Sequence, residues 1–491
     1  MLVDLNKTPT PSPFNDTYDL CVCGSGPAGV TVARKAAAGG ARVLLLEAGG
    51  FEPTAASMAV YQGRNIGREY YGIESGRLRY FGGTSGHWAG ICGLFDPIDF
   101  EERQGRAAPS WPITRNETYA HRAEAAEILD IPGADFQEEP VAPELAAGYR
   151  AYAHHRSAPT RFGEKYRREL TAHRAVDVAL NANVVGLSLD ENGARVTGLE
   201  IANYDGARFN FSAHAYVLAF GAIETPRFLL IADRQNNGAL SAKTDFIGRC
   251  FMEHFSLALA RFAALKPEFW DARPRLTIKP HESDLRRSGL GNAVLTLNAN
   301  AAPRDYGRLA PLRSAAREFF CSTEPLARAG RRVADFTCPG DGIVTTIMEQ
   351  SPNPLSRVLL DDRETDQFES PRLALDWRIT DTDRETILTL TTNLGKTLAR
   401  AGIGRVRIFD DVLSHEADLG LHSHQMGTTR MSASPRDGVV DRNCKVHGVD
   451  NLFIAGASVF PTGGGSNPTF TVVSLALRLG AHLAEHVLKR P

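Results

Sequence analysis

The chain has 491 residues, of which 43% are hydrophobic and 23% charged, and its formal net charge at pH 7 is −2. These proportions are those of a globular protein long enough for about three modules, and the near-neutral charge provides no field that would gather nucleic acid. No apolar run reaches the ~18 residues of a membrane helix and the N-terminus lacks the pattern of a secretion signal, so we expect no nucleic-acid partner, no membrane segment and a cytoplasmic location.

The first elements in the chain are predicted as strand, turn, helix and strand. Residues 1–16 are rich in Pro and Ser and predict an irregular tail. The apolar run 18–23 predicts a buried strand, the Ala-rich segment 27–38 a helix, and 42–47 a second strand.

The turn between the first strand and the helix has the spacing G-x-G-x-x-G, from Gly24 to Gly29. In such a turn Gly24 allows the tight bend, Gly26 lets the backbone approach a pyrophosphate, and Gly29 lets the helix pack on the strand. Glu47 follows at the end of the second strand, where an acidic residue holds a ribose hydroxyl pair. The arrangement predicts a bound dinucleotide.

The rest of the chain alternates strand-like and helical patterns without a repeat. The elements predicted from these patterns are a hairpin at 181–203, strand 214–219, helix 220–232, β-rich pieces within 256–379 with one polar helix near 312–333, helix 381–402, strand 405–409, strand 452–456, and a helix from about 468 to 487.

Seven cysteines are scattered along the chain without a Cys-x-x-Cys pair. Cys21 and Cys23 alternate on the first predicted strand, which is typical of small packing residues. We therefore expect neither a disulfide framework nor a structural zinc site.

The segment LHSHQMGTTRM, residues 421–431, holds two histidines two positions apart. Metal binding, packing and general-base chemistry are all open to such a pair. A zinc site would need a third ligand, for which only His415 and Glu416 lie nearby, so we expect no metal. If the segment is extended, His422 and His424 share a face, and we expect His422 to support His424 rather than to react.

Seven blocks in order resemble the glucose–methanol–choline (GMC) oxidoreductases, near the pyranose oxidase, glycoside 3-oxidase and bacterial sugar dehydrogenase branch. The blocks are GSGPAGVTVARKAAAGGARVLLLEAG, FGGTSGHWAG, GAIETPRFLL, SPNPLSRVLL, HQMGTTRM, GVVDRNCKVHGVDNLFIAGASVFPT and GSNPTFTVVSLALRL. The resemblance spans nearly the whole chain. It implies an α/β, two-domain fold, in which a Rossmann-like FAD-binding domain is joined to a substrate domain built on a largely antiparallel sheet.

The resemblance also implies that both domains are discontinuous in sequence. We expect a first FAD-binding segment at 1–110, a first substrate or cap segment at 111–175, a second FAD-binding segment at 176–255, the substrate-binding domain at 256–420, and a third FAD-binding segment with the active-site residues at 421–491.

The cofactor implied is FAD, and the catalytic pair implied is His424 and Asn467. His424 would take the hydroxyl proton of an alcohol while hydride passes to flavin N5, and Asn467 would orient the hydroxyl. Besides Gly24, Gly26, Gly29 and Glu47, the cofactor-binding positions expected are Ala28, Gly82, Gly83, Thr84, His87, Trp88, Val184, Gly221, Ala457, Pro468 and Thr469.

His87-Trp88 matches the pattern of relatives in which a histidine is bonded to the flavin 8α-methyl carbon, so covalent attachment at His87 and simple packing of its ring on the flavin are both open.

The function implied is oxidation of a sugar, glycoside or related secondary alcohol, with dioxygen, a quinone or a protein carrier as electron acceptor. The alternative is a non-redox lyase of the same fold; such lyases are expected to be secreted, and this chain shows no leader.

Overall fold

The computed structural model describes residues 1–8, 14, 18–103, 110–299, 310–333 and 337–488. The α-helices in these ranges are α1 Pro27–Ala38, α2 Ala55–Ala59, α3 Gly72–Ser75, α4 Arg115–Thr118, α5 Arg122–Ile128, α6 Phe162–Ala172, α7 Gly221–Gln235, α8 Pro267–Asp271, α9 Glu282–Ser288, α10 Ala310–Cys321, α11 Glu324–Val333, α12 Asp381–Arg400, α13 Asp410–Leu413 and α14 Thr469–His482.

The strands are β1 Leu2–Asp4, β2 Tyr18–Cys23, β3 Val43–Leu46, β4 Gly63–Asn65, β5 Ile91–Cys92, β6 Tyr149–Ala151, β7 His155–Arg156, β8 Val176–Leu180, β9 Asn183–Leu189, β10 Val196–Ala202, β11 Arg208–Phe211, β12 Ala213–Leu218, β13 Phe255–Ala264, β14 Arg275–Pro280, β15 Ala293–Ala299, β16 Gly342–Met348, β17 Arg357–Thr365, β18 Pro371–Asp376, β19 Gly404–Ile408, β20 Gly420–Leu421 and β21 Leu452–Ile454.

The described residues build one parallel sheet of six strands in the order β1-β8-β3-β2-β12-β21. Its strands come from the beginning, the middle and the end of the chain. The central strands β2 and β3 are buried along their whole length, as expected for a sheet covered on both faces. The helices α1 and α14 pack against each other beside this sheet.

A second large sheet in the described residues is antiparallel and has the order β19-β13-β16-β15-β14-β6, with β20 paired to the start of β13. It has its own core of buried side chains, to which α12 contributes Leu390, Leu394 and Leu398. The parallel sheet and this antiparallel sheet confirm the fold class predicted from the sequence.

The first predicted strand and helix have the bounds of β2 and α1, and most other predicted elements are present with ends that differ by up to three residues. The hairpin is confirmed, because β9 pairs antiparallel with β10. The predicted C-terminal helix is α14 followed by a π-helical turn, Leu483–Val487.

The prediction of an irregular N-terminal tail is wrong for the first residues, since β1 pairs parallel with β8 and Leu5 is fully buried. The Pro-rich composition that suggested a tail begins only at residue 9. Positions 9–13 and 15–17 lie outside the described residues.

The single polar helix predicted near 312–333 is two helices, α10 and α11, and a disulfide joins Cys321 to Cys338 with their Cα atoms 5.4 Å apart. Pro325 lies in the first turn of α11, where it needs no N–H, but the same missing N–H could not donate to the carbonyl of residue 321 in one continuous helix. The expectation that the cysteines form no disulfide framework missed this bridge, because a separation of 17 positions matches no recognisable cysteine spacing. The other described cysteines, Cys21, Cys23, Cys92, Cys250 and Cys444, are free and buried.

Among the described residues no helix is both long and apolar enough to span a bilayer.

Candidate active site

A cavity of about 550 Å³ lies at the carboxyl ends of the parallel strands. Neighbouring strands of one parallel sheet present their carboxyl ends at the same edge, which is where open α/β sheets bind ligands. The segments that line the cavity at this edge are 24–28 after β2, 47–48 after β3, Ala182 after β8, 219–222 after β12 and 455–457 after β21.

The glycine-rich turn forms one end of this cavity. A Cβ atom on Gly24 would lie 2.6 Å from the Ala219 carbonyl oxygen, and one on Gly29 would lie 1.8 Å from the Gly24 carbonyl oxygen. Gly26 in contrast has no atom within 4 Å of its Cβ position. The turn is therefore tight towards the protein and open beside the N-terminus of α1, whose free N–H groups suit a phosphate.

Glu47 is buried at the end of β3 and already has three hydrogen bonds. Its Oε2 accepts from the backbone N–H and the hydroxyl of Ser25, at 3.1 and 2.5 Å, and its Oε1 accepts from Gly49 N at 2.9 Å. The carboxylate is thus fixed at the cavity wall, and its remaining lone pairs suit a ribose hydroxyl.

The segment that contains His87 and Trp88 forms another wall of the cavity. Arg161 holds it from outside, since its Nη1 donates to the carbonyl oxygens of Ser85 at 2.8 Å and Trp88 at 3.2 Å. Partial burial and the charge of Arg161 lower the pKa of His87, so its imidazole stays neutral near pH 7.

Nearly all predicted site residues line this one cavity. The exceptions are Gly29, which packs beneath the turn, Gly82, whose N–H donates to the Ser25 hydroxyl at 3.0 Å, and Val184. Val184 faces a separate small pocket beside Val60. The place at the cavity that we expected for Val184 is occupied by Ala182. The chain turns at Asn181, at φ +55°, before β9 leads away from the cavity.

Two arginines that the sequence analysis missed, Arg77 and Arg79, also line the cavity. Both are buried next to Glu224 of α7, at 3.6 and 3.8 Å from its carboxylate oxygens. Arg77 Nη1 and Arg79 Nε are buried and have no hydrogen-bond partner within the described chain. Cationic donors without a partner beside an open cavity fit an anionic cofactor. The sequence feature that could have indicated these two arginines is the Arg-x-Arg spacing in GRLRYFGG.

His424 and Asn467 meet at the other end of the cavity, although they lie 43 residues apart in sequence. Asn467 Nδ2 is 3.3 Å from His424 Nε2. His422 also lines the cavity, and its ring centroid is 5.7 Å from that of His424. Its supporting role beside His424 stays a prediction. The segment is not a regular strand here, since Ser423 has φ +57°.

Behind His424 lies His254, a further residue that was not predicted from the sequence. Its Nδ1 is 2.9 Å from His424 Nδ1. Burial lowers the pKa of His254 to about 4, and burial together with the neighbouring imidazoles holds the pKa of His424 well below its usual value. Both rings are therefore neutral at pH 7. The sequence feature that could have indicated His254 is the Glu253-His254 pair, which interrupts the apolar run CFMEHFSLALA.

The described residues contain no group of three or more His, Cys, Asp or Glu side chains placed to hold a metal ion. His415 and Glu416, which the sequence offered as further ligands, are both exposed.

Comparison with protein families identifies the fold. The model of the FAD dependent oxidoreductase family matches residues 19–344, and that of the GMC oxidoreductase family matches residues 352–476. The chain belongs to the GMC oxidoreductases. It is accordingly an FAD-dependent oxidoreductase, and the cavity is the place where this structure can hold FAD.

Individual relatives agree with this assignment. The chain is 24% identical to 2-methyl-1,2-propanediol dehydrogenase of Mycolicibacterium austroafricanum, over 96% of this chain and 95% of that protein. It is 32% identical to C-glycoside 3-oxidase of Microbacterium trichothecenolyticum over 27% of this chain and 25% of that one. Its fold matches the crystal structure of pyridoxine 4-oxidase from Mesorbium loti with a TM-score of 0.54, covering 95% and 99% of the two chains at 19% identity.

Proposed function

We propose that this GMC oxidoreductase oxidises the CH–OH group of a sugar, glycoside or related secondary alcohol to C=O, with His424 as the base. The observation that carries the proposal is the pairing of His424 Nε2 with the Asn467 amide in the cavity, at 3.3 Å. An imidazole nitrogen and an amide donor are the two groups that a hydroxyl needs to give up its proton and be held in place. FAD supplies the hydride acceptor when bound.

The substrate hydroxyl takes the position between these two side chains. His424 Nε2 accepts its proton, and the Asn467 amide holds its oxygen. His422 Nε2 is buried without a partner in the described chain and lies in the same cavity, so it offers a further hydrogen bond to a polyhydroxylated substrate. Relatives named as oxidases or dehydrogenases of a diol, fructose and C-glycosides support this substrate class.

Anaerobic mixing with a panel of sugars, glycosides and cyclic alcohols tests the proposal. We expect at least one compound to bleach the flavin absorbance band in a single turnover. Product formation without bleaching would instead identify a non-redox lyase and contradict the proposal. Mixing the reduced enzyme with dioxygen, a quinone or an electron-carrier protein then shows which acceptor restores the absorbance.

We also propose that His87 is the residue to which the flavin is bonded, because a neutral imidazole at the cavity wall can act as a nucleophile. Acid-precipitated wild-type protein should remain yellow, and a His87→Asn variant should release its flavin into the supernatant. A wild-type protein that releases its flavin would contradict the covalent bond.

The cytoplasmic location stays a prediction. The Cys321–Cys338 disulfide counts against it, since reducing compartments keep most protein thiols reduced.

A further inference from the structure

The strongest feature that the proposed function does not use is the buried imidazole of His254, which is 1% exposed. It stands just before β13 and contacts both segments that carry the proposed catalytic pair. On one side its Nδ1 lies 2.9 Å from His424 Nδ1. On the other its Nε2 lies 3.0 and 2.9 Å from the carbonyl oxygens of Gly463 and Gly464, in the loop that leads to Asn467.

These contacts determine where the ring protons are. A carbonyl oxygen can only accept, so His254 Nε2 must carry a hydrogen and donate it to the glycine carbonyls. The ring of His254 is neutral, which leaves its Nδ1 as an acceptor. His424 Nδ1 must then be the donor of the bond between the two rings. Because His424 is neutral as well, its Nε2 carries no hydrogen and can accept one.

The backbone around the pair is fixed by the residue next to His254. Glu253 Oε1 accepts from His424 N at 2.6 Å and from His254 N at 2.9 Å, and Glu253 Oε2 accepts from the Tyr70 hydroxyl at 2.6 Å. Gln425 Nε2 donates in turn to the Tyr70 hydroxyl at 2.8 Å. One buried carboxyl oxygen thus ties together the main chains of both histidines, which keeps the two rings at hydrogen-bonding distance.

We propose that His254 is a positioning residue that holds His424 in the tautomer with a free Nε2 and fixes its ring relative to the loop of Asn467. The proposal rests on the proposed function of His424. In a histidine, the hydrogen bond made by one ring nitrogen decides which tautomer is present. Without His254 the hydrogen can sit on Nε2, and a His424 ring in that state cannot accept a proton from the substrate hydroxyl.

The direct test is the tautomer itself, in the wild-type holoenzyme labelled with ¹⁵N-histidine. We expect long-range ¹⁵N–¹H spectra to show His424 protonated on Nδ1 and His254 protonated on Nε2, with His424→Ala and His254→Asn used to assign the signals. A His424 ring protonated on Nε2 would overturn the proposal. The tautomers are read in the wild-type protein and the variants serve only for assignment, so this measurement does not depend on activity.

A matched pair of variants tests the consequence for the reaction. His254→Leu fills most of the volume but offers no acceptor, whereas the Oδ1 of His254→Asn occupies nearly the place of Nδ1. The rates of both variants are normalised to their flavin content. We expect His254→Leu to lower the limiting rate of flavin reduction at least tenfold with little change in substrate affinity. The rate of His254→Asn should stay within a few-fold of wild type.

A wild-type rate in His254→Leu, or equal losses of rate in both variants, would overturn the positioning role. Failure of the proposed function gives a different pattern, because a His424→Ala variant would then reduce its flavin at the wild-type rate.

Discussion

At the scale of single residues, the surroundings of His424 decide how basic it is. Its ring is flanked by the imidazoles of His254 and His422, and no carboxylate hydrogen-bonds to its side chain among the described contacts. Burial raises the pKa of the Glu253 carboxyl to about 8, and this carboxyl accepts a hydrogen bond from the backbone N–H of His424, not from its ring. A low pKa suits His424 as the base, because its imidazole must be neutral before it can accept the proton of the substrate hydroxyl.

This environment sets the pH dependence of the reductive step. The pKa of His424 lies well below 6.5 because of desolvation and then the neighbouring His254 and His422, so the neutral base persists as the pH falls through 6.5. The limiting rate of anaerobic flavin reduction should therefore be flat from pH 8 down past 6.5 and should decline only at more acidic pH. A titration of this rate with a midpoint at or above 6.5 would contradict the burial argument.

At the scale of elements, the cofactor site depends on how closely α1 approaches the turn after β2. The helix can begin where it does because Gly29 has no side chain and Pro27 fits the first turn. At the far end of the cavity α14 begins at Thr469, directly after Asn467 and Pro468. Two helix N-termini thus face one cavity, and each carries partial positive charge that suits an anionic ligand.

Gly29→Ala tests this packing. The added Cβ would meet the Gly24 carbonyl at 1.8 Å, so helix and turn must separate, at a cost of about 1–3 kcal/mol or more. We expect a lower melting temperature and weaker retention of FAD. Gly50→Ala is the matched control, since its nearest contact would be 3.9 Å away, and it should behave as wild type; equal behaviour of the two variants would refute the argument.

At the scale of the whole molecule, a buried polar network joins the antiparallel sheet to the segment 94–103. Asn292 Nδ2 donates to Asp96 at 2.7 Å and to Asp99 at 2.9 Å, and Lys279 of β14 is paired with Asp96. Arg103 donates to both carboxylate oxygens of Glu349 at 2.9 Å. Charges this deep hold the segment 94–103 against the antiparallel sheet, and each needs its partner.

Glu349→Gln should therefore destabilise the protein strongly. It removes the carboxylate that is hydrogen-bonded to the Arg103 guanidinium, which is 1% exposed, and leaves it only Asp99 at 3.9 Å. Losing one member of a buried pair costs about 3–5 kcal/mol. Asp362→Asn removes the exposed pair with Arg234 and should cost less than about 1 kcal/mol. Denaturant unfolding of both variants measures the difference, and similar losses would contradict the role given to burial.

The features that sequence could predict are those encoded in short segments. The turn from Gly24 to Gly29 and Glu47 belong to one strand–helix–strand unit, so their spacing alone indicates a nucleotide site. The roles of Arg77, Arg79 and His254 depend on how distant segments are brought together. The charged or polar residue types in their local sequence mark these positions as unusual, but they do not show what the side chains contact. The same holds for the Cys321–Cys338 bridge, while the division of the chain into five domain segments stays a prediction.

The most direct test of the account is the rate of anaerobic flavin reduction in His424→Ala, measured by stopped flow with an alcohol that reduces the wild type. His214→Ala, which removes an exposed histidine on β12, serves as the control. We predict that His424→Ala retains FAD but reduces it at least ~100-fold more slowly, the usual contribution of a general base, and that the control is unchanged. A His424→Ala rate within a few-fold of wild type would show that His424 is not the base.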